Sequence, residues 1–326
     1  MYQRAIVHAF GQASEVVALE MHAPGPLPAD HVRVRMTARS INPSDLITIS
    51  GAYRSRTPLP FIPGFEGVGV VEELGSGVTT LRPGARVVPI GSAGAWQEVK
   101  DCPAAWCLEV PDGVADAQAA ASYVNPMTAW AILHAVAKVR PGMRIAVTAA
   151  GSAIGQMLVV LANRAGLHPV ALVRSEAAAR NVAHLCAQVV RYAAHGGLQE
   201  LGEEWPQEQA VDAIFDCVGG SDAVPLARLL RPGGMFVHYG LLSGQPIPQA
   251  FWAGRRDIDF TMFHLRAWVR EVPLAEVHRT YAETASLIAQ GAIGTRVRAS
   301  YPLAAIRAAL ADASTTSAEG KVLIVD

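Results

Sequence analysis

The stretch Thr148-Ala149-Ala150-Gly151-Ser152-Ala153-Ile154-Gly155-Gln156 decides the fold of this chain. It follows Arg144-Ile145-Ala146-Val147, a short apolar run of strand type, and leads into Met157-Leu158-Val159-Val160-Leu161-Ala162, which continues as a helix. A strand, a tight turn of small residues and a buried helix form the entry to a dinucleotide-binding βαβ unit. Small residues let the turn backbone approach a pyrophosphate, whose charge is stabilised by the N–H groups and dipole of the helix start. Of the G-x-G-x-x-G fingerprint only Gly151 and Gly155 stand, spaced as G-x-x-x-G, so a plain buried strand–helix turn is the competing reading. A membrane span is a third, because residues 145 to 163 carry no charge. Thr148, Ser152, Gln156 and both glycines interrupt that run, and no second such segment exists, which argues against a span.

The bulk of the chain fits this start. Its 326 residues, 51% hydrophobic and only 17% charged, suffice for two domains with sizeable cores. A net charge of −1 and the lack of any long basic run speak against a dedicated nucleic-acid binder. The chain opens on strand-like Ala5-Ile6-Val7-His8-Ala9, without a charged-then-apolar leader or an Arg/Ser-rich transit segment, so a cytoplasmic location is expected. Four cysteines at 102, 107, 186 and 217 match neither a zinc ribbon nor a disulfide framework and read as reduced structural thiols. None of the ten histidines shows a ligand spacing such as H-x-x-x-H.

Around the opening stretch the pattern changes twice. Residues 1 to about 122 read as short β segments broken by Pro and Gly, among them Val32–Met36, Gly67–Gly75 and Arg86–Ile90. From 123 to 267 strands alternate with Ala-rich helical stretches such as 176–186 and 222–230. Six candidate strands, Ile145–Ala149, Pro169–Val173, Val189–Tyr192, Ala213–Cys217, Met235–Tyr239 and Asp259–Met262, fit a doubly wound parallel sheet, an α/β fold. Arg231-Pro232-Gly233-Gly234 reads as the turn that delivers the fifth of them. From about 268 an amphipathic helix places Leu274, Val277, Tyr281, Ala285 and Ile288 on a core face, and strand-like Lys321–Val325 returns the tail to the first domain.

The end of the second Rossmann strand selects the cofactor. An acidic residue there would take the ribose 2′-OH of NAD, whereas an Arg accommodates the 2′-phosphate of NADP. Here Leu172-Val173 is followed by Arg174 and Ser175, a bidentate cation and a hydroxyl, which favours NADPH. Glu176 is an awkward neighbour that Arg180 can offset, and a solvated loop charge is the plain alternative for Arg174. A second cluster is Ser40-Ile41-Asn42-Pro43-Ser44-Asp45 followed by Gly51-Ala52-Tyr53-Arg54. Tyr53 is able to polarise a carbonyl or deliver a proton, or it is an ordinary loop aromatic.

These segments, with Pro63-Gly64-Phe65-Glu66-Gly67-Val68-Gly69, Val124-Asn125-Pro126-Met127-Thr128-Ala129-Trp130, Asp216-Cys217-Val218-Gly219-Gly220 and Tyr239-Gly240, resemble the medium-chain dehydrogenase/reductase superfamily over the whole chain. Within it, the chain looks closest to the zinc-free quinone reductases and 2-enoyl thioester reductases. The resemblance implies a GroES-like catalytic domain (1–122 with 268–326), a Rossmann NADPH-binding domain (123–267), and a homodimer formed by edge-to-edge pairing of Rossmann sheets. Zinc relatives need a Cys and a His where this chain carries Asn42 and Phe65, which implies no metal. Tyr53 matches the catalytic tyrosine. Cofactor contacts are implied for Asn42, Asn125 and Thr128, for Gly151, Ser152, Ala153 and Ile154 at the pyrophosphate, and for Arg174 and Ser175 at the 2′-phosphate. Tyr239, Gly240, Leu241 and Leu242 would flank the ribose, Phe263, His264 and Leu265 the nicotinamide, and Lys321 would reach the cofactor phosphates. His264 stands where mitochondrial-type enoyl reductases carry a tryptophan.

The expected activity is NADPH-dependent reduction of the C=C bond of an α,β-unsaturated carbonyl or enoyl thioester. Quinone reduction with the same cofactor is the alternative, and a non-catalytic NADPH-binding sensor or structural protein is the rival from another class. The partners expected are a small-molecule substrate (enoyl thioester, enone or quinone) and a second copy of the chain, with no nucleic acid and no membrane.

Overall fold

A computed structural model describes residues 1–186, 188–192, 197–315 and 319–326 of the chain. It divides into two units, Met1–Val124 with Val269–Asp326, and Asn125–Trp268.

The second unit is built on six parallel strands ordered Gln188–Arg191, His168–Val173, Arg144–Thr148, Val211–Asp216, Leu230–His238 and Asp259–Met262. The crossovers run outward from the central strand in both directions, so the sheet has the doubly wound order and a switch point between Arg144–Thr148 and Val211–Asp216. Ile145, Ala146 and Val147 are fully buried, as a strand covered on both faces requires. The charge-free run 145–163 therefore splits into this strand and the helix Ala153–Arg164, and among the described residues no helix is long and apolar enough to cross a membrane. Ser152 caps that helix, its hydroxyl accepting from Gly155 N at 3.2 Å.

One expectation is corrected. Arg231–Gly234 does not form a turn ahead of the fifth strand but is the bulged start of the strand Leu230–His238. Val211 pairs with Leu230 and Ala213 with Met235, so the intervening residues face a single residue, Asp212. Gly233 absorbs the distortion with φ of 70°.

The first unit is β-rich. Its largest sheet runs Val297–Pro302, Lys321–Val325, His31–Ser40, Gly67–Leu74, Arg86–Pro89 and Cys107–Glu109, with Val99–Pro103 also on His31–Ser40. Val32, Val34 and Met36 alternate inward along the central strand. Lys321–Val325 pairs antiparallel with it, Leu323 opposite Ser40, which brings the tail back to the opening segment. Asp326 closes the join with an ion pair to the buried Arg39 at 2.6 Å. The helix Leu274–Ala289 buries Val277, Tyr281, Ala285 and Ile288 of the expected stripe and leaves Leu274, its first residue, half-buried.

Candidate active site

In the second unit the chemistry-bearing residues gather at the carboxyl ends of the strands, where open α/β sheets bind ligands. The turn after Arg144–Thr148 is tight: Ala149 takes a left-handed φ of 46°, a strained choice for a residue with a Cβ. Gly155 has no room for a side chain, because a Cβ would lie 2.6 Å from Ala149 O and Ala150 Cα. Gly151 is equally confined, 2.6 Å from Ala178 O. Gly155 is thus required for close packing of the helix on its own turn, and Gly151 for the close approach of the helix Glu176–Val182. The first N–H groups of the helix Ala153–Arg164 lack intrahelical acceptors and supply the anion-binding end.

Arg174 follows the strand His168–Val173, is exposed, and has no carboxylate partner among the described residues. Its neighbour Glu176 is engaged elsewhere, by Arg191 at 2.8 Å and Arg180 at 3.9 Å. Ser175 caps the helix Glu176–Val182 by accepting from Ala178 N, so its hydroxyl is partly committed. An unpaired guanidinium beside a helix start at the switch-point edge fits a phosphorylated dinucleotide such as NADPH.

Across the switch point, Thr148 Oγ donates to Asp216 Oδ1 at 2.9 Å, which ties the two diverging strands together. The other oxygen of Asp216 lies 2.9 Å from His238 Nδ1 and accepts from Gly219 N at 3.0 Å. Tyr239 N donates to Asp216 O and Leu242 N to Cys217 O, so the Tyr239–Leu242 segment is pinned to the neighbouring strand end. A Cβ on Gly240 would lie 2.8 Å from Cys217 O. The Tyr239 hydroxyl is buried beside the Cys217 thiol without an oxygen or nitrogen partner among the described residues. Burial pushes Cys217 up to about 12 and Tyr239 well above its ordinary value, so both stay neutral. Phe263 is buried and its N–H donates to His238 O, whereas His264 is exposed at the start of the helix Leu265–Glu271. Asn125 is half-buried and Thr128 buried, both on the helix Val124–Ala131.

In the first unit, Asn42 sits before the helix Pro43–Ile49, and Asp45 returns to accept from Asn42 N at 2.8 Å. The other oxygen of Asp45 accepts from Phe65 N at 3.0 Å. Burial raises Asp45 to about 7, with Glu66 adding to the rise and the two N–H donors and Lys321 opposing it. Glu66 is fully buried. It accepts from Ser40 Oγ at 2.6 Å, Asn42 Nδ2 at 2.9 Å, Tyr123 N at 3.2 Å and Val124 N at 2.7 Å. Lys321 places its ammonium on Asn42 Oδ1 and 3.5 Å from Glu66. Lys321 is 8% and Asn42 2% exposed, so both side chains are spent within the unit.

Tyr53 lies beyond the helix Pro43–Ile49, on a turn that needs Gly51 at φ of 89°. Its ring is half-buried, with the Arg56 guanidinium 4.5 Å from the centroid, and its hydroxyl has no partner among the described residues. Sequence reasoning missed Glu66 as a hub, the Asp45 cap and the Thr148–Asp216–His238 chain. The spacing Asn42-Pro43-Ser44-Asp45 is a capping-box pattern that signalled the second of these.

Comparisons with known proteins bear on the fold and the family. Residues 28–112 match the alcohol dehydrogenase GroES-like domain, and residues 186–324 match the zinc-binding dehydrogenase family. The mitochondrial enoyl-[acyl-carrier-protein] reductase of Xenopus tropicalis is 30% identical over 314 residues, covering 91% of this chain and 88% of its own. The crystal structure of a candidate NADPH:quinone reductase from Bacillus thuringiensis superposes with a TM-score of 0.91 at 33% identity, over 100% of this chain and 99% of that one. A mycobacterial structure complexed with NADPH gives 0.86 at 25% identity over 100% of both chains. The fold and the strand-end cluster define a two-unit dehydrogenase or reductase. The chain belongs to the medium-chain dehydrogenase/reductase superfamily, beside its enoyl reductases and quinone oxidoreductases.

Proposed function

We propose that the protein is an NADPH-dependent, zinc-independent reductase of the C=C bond of α,β-unsaturated carbonyl compounds, enoyl thioesters among them. The observation that carries this reading is the Tyr53 hydroxyl, half-buried and without an internal partner among the described residues, hence available to a substrate oxygen. When bound, NADPH supplies the hydride from nicotinamide C4. Addition at the β-carbon develops negative charge on the carbonyl oxygen. Tyr53 donates its proton to that oxygen or to the α-carbon, and a donor aimed at developing charge lowers the barrier more than one serving the ground state. Arg174 supports NADPH over NADH. Arg54 and Arg56 are exposed and carry no carboxylate partner among the described residues, which suits the phosphates of a CoA or carrier-protein thioester.

Zinc independence rests on donor chemistry. An amide and a phenyl ring stand at the two ligand positions, and the Lys321 ammonium already lies between Asn42 and Glu66, where it repels a second cation. Quinone reduction is the second reading, favoured by the 33% identity to the Bacillus thuringiensis protein. There, donor and acceptor geometry suffices and Tyr53 only shapes the site. NADPH oxidation measured with crotonyl-CoA, the crotonyl thioester of N-acetylcysteamine, a simple enone and benzoquinone separates the two. Binding of NADPH with no oxidation across that panel sinks both and leaves a sensor or structural protein.

A homodimer belongs to the proposal. Among the described residues the outer strand Asp259–Met262 has one unpaired edge, with Met262 69% and Trp252 49% exposed beside it. Pairing of that edge with its copy would extend the sheet and cover both side chains. A cytoplasmic location is proposed with it, supported by four cysteines that are all free.

A further inference from the structure

The Lys321 ammonium joins segments far apart in sequence, and its partners leave it little else to do. Glu66 is buried and accepts from two side chains and two backbone N–H groups. Those bonds satisfy its lone pairs, yet they supply no countercharge. Among the described residues, Lys321 is the one cation at ion-pairing distance from it. A buried carboxylate left without a cation costs far more than the pair contributes when intact. The same ammonium sets the Asn42 amide. Oδ1 faces the positive charge, and Nδ2 faces Glu66 and Ser40 Oγ. The flipped amide would set NH₂ against NH₃⁺ and a carbonyl against a carboxylate, so one orientation holds.

Two segments of the first unit hang on this hub. Asn42 begins the turn whose helix, Pro43–Ile49, runs directly into Gly51–Tyr53. Glu66 holds the N–H groups of Tyr123 and Val124, the last residues of the first unit's leading segment. We propose that Lys321 is a positioning residue, the fixed internal cation that orients Asn42 and neutralises Glu66, and not a ligand of cofactor phosphate. The role holds whichever acceptor is reduced.

The test uses the full-length protein with Lys321→Met, Glu66→Gln and both changes. Lys321→Met is expected to lower the Tm of the cofactor-free protein by roughly 10 °C, because it orphans a buried carboxylate. Adding Glu66→Gln should recover more than half of that loss, a coupling read directly from the double-mutant cycle. Should Lys321→Met fail to fold, the double variant carries the remaining measurements. Its dissociation constants for NADPH and NADH should stay within about threefold of wild type. Its kcat on the preferred acceptor should fall about tenfold at unchanged KM for NADPH, because Asn42 has lost its orienting charge. An unchanged Tm for Lys321→Met, with affinity lost for NADPH but kept for NADH, overturns the proposal in favour of a phosphate ligand. A double variant no more stable than Lys321→Met, or one with wild-type kcat, overturns it as well.

Discussion

Tyr53 and Arg174 share one property: each presents its polar end without an internal partner among the described residues. For Tyr53→Phe we expect kcat on an enoyl thioester to fall about 10²-fold with NADPH affinity unchanged, checked by steady-state rates beside a binding titration. If quinone is the true acceptor, the same variant keeps its rate. For Arg174→Ala the dissociation constant for NADPH should rise about 10- to 100-fold while that for NADH hardly moves. Asp45 yields a pH prediction of unusual sign. Burial lifts its folded value to about 7, above the unfolded one, so between the two values the folded protein holds a proton that the unfolded chain has released. Its contribution to stability is complete in acid and is lost as pH rises through about 7. Melting curves from pH 5 to 8 should show this fall in wild type and its absence in Asp45→Asn. Arg174 was legible in sequence because its meaning depends only on the end of one strand. The Lys321–Asn42 contact was not, because 279 positions separate the two and no local period reports such a meeting. Thr148 and Asp216, 68 positions apart, are hidden for the same reason.

The turn into Ala153–Arg164 is where packing and binding place the same demand on the chain. Gly155→Ala sets a methyl 2.6 Å from Ala149 O, a backbone atom that cannot swing away. We expect a loss of about 1–3 kcal/mol in denaturant melts and weaker NADPH binding, as helix and turn move apart. The inner strands of the parallel sheet were legible because strands buried on both faces are continuous apolar runs of short length. The edge strands Gln188–Arg191 and Asp259–Met262 bury no residue fully and were read from the alternation of strand and helix. The bulge at Arg231–Gly234 was not: Pro and Gly signal a break, but whether a chain turns there or loops out of a continuing strand depends on the register of Val211 and Ala213. The π-helical turn Ile132–Val136 that follows Val124–Ala131 also left no mark in the apolar pattern.

At the scale of the whole molecule, Met262→Asp puts a charge on the outer edge of the Rossmann sheet, and the proposed pairing predicts that light scattering reports a dimer for wild type and a monomer for the variant. A wild-type monomer removes the dimer from the proposal. The arrangement of the two units has a further consequence. Asn125–Trp268 is one continuous stretch, whereas the other unit is split by it and waits for 269–326. During synthesis the nucleotide unit is complete while the sheet of the first unit still lacks Lys321–Val325, the strand between His31–Ser40 and Val297–Pro302. Until that strand emerges, Ala38, Arg39 and Ser40 lack their partners in it and Glu66 has no cation. The oldest segment of a nascent chain therefore ends its central strand unfinished, and the buried carboxylate beneath it is neutralised only when the last strand to be made docks.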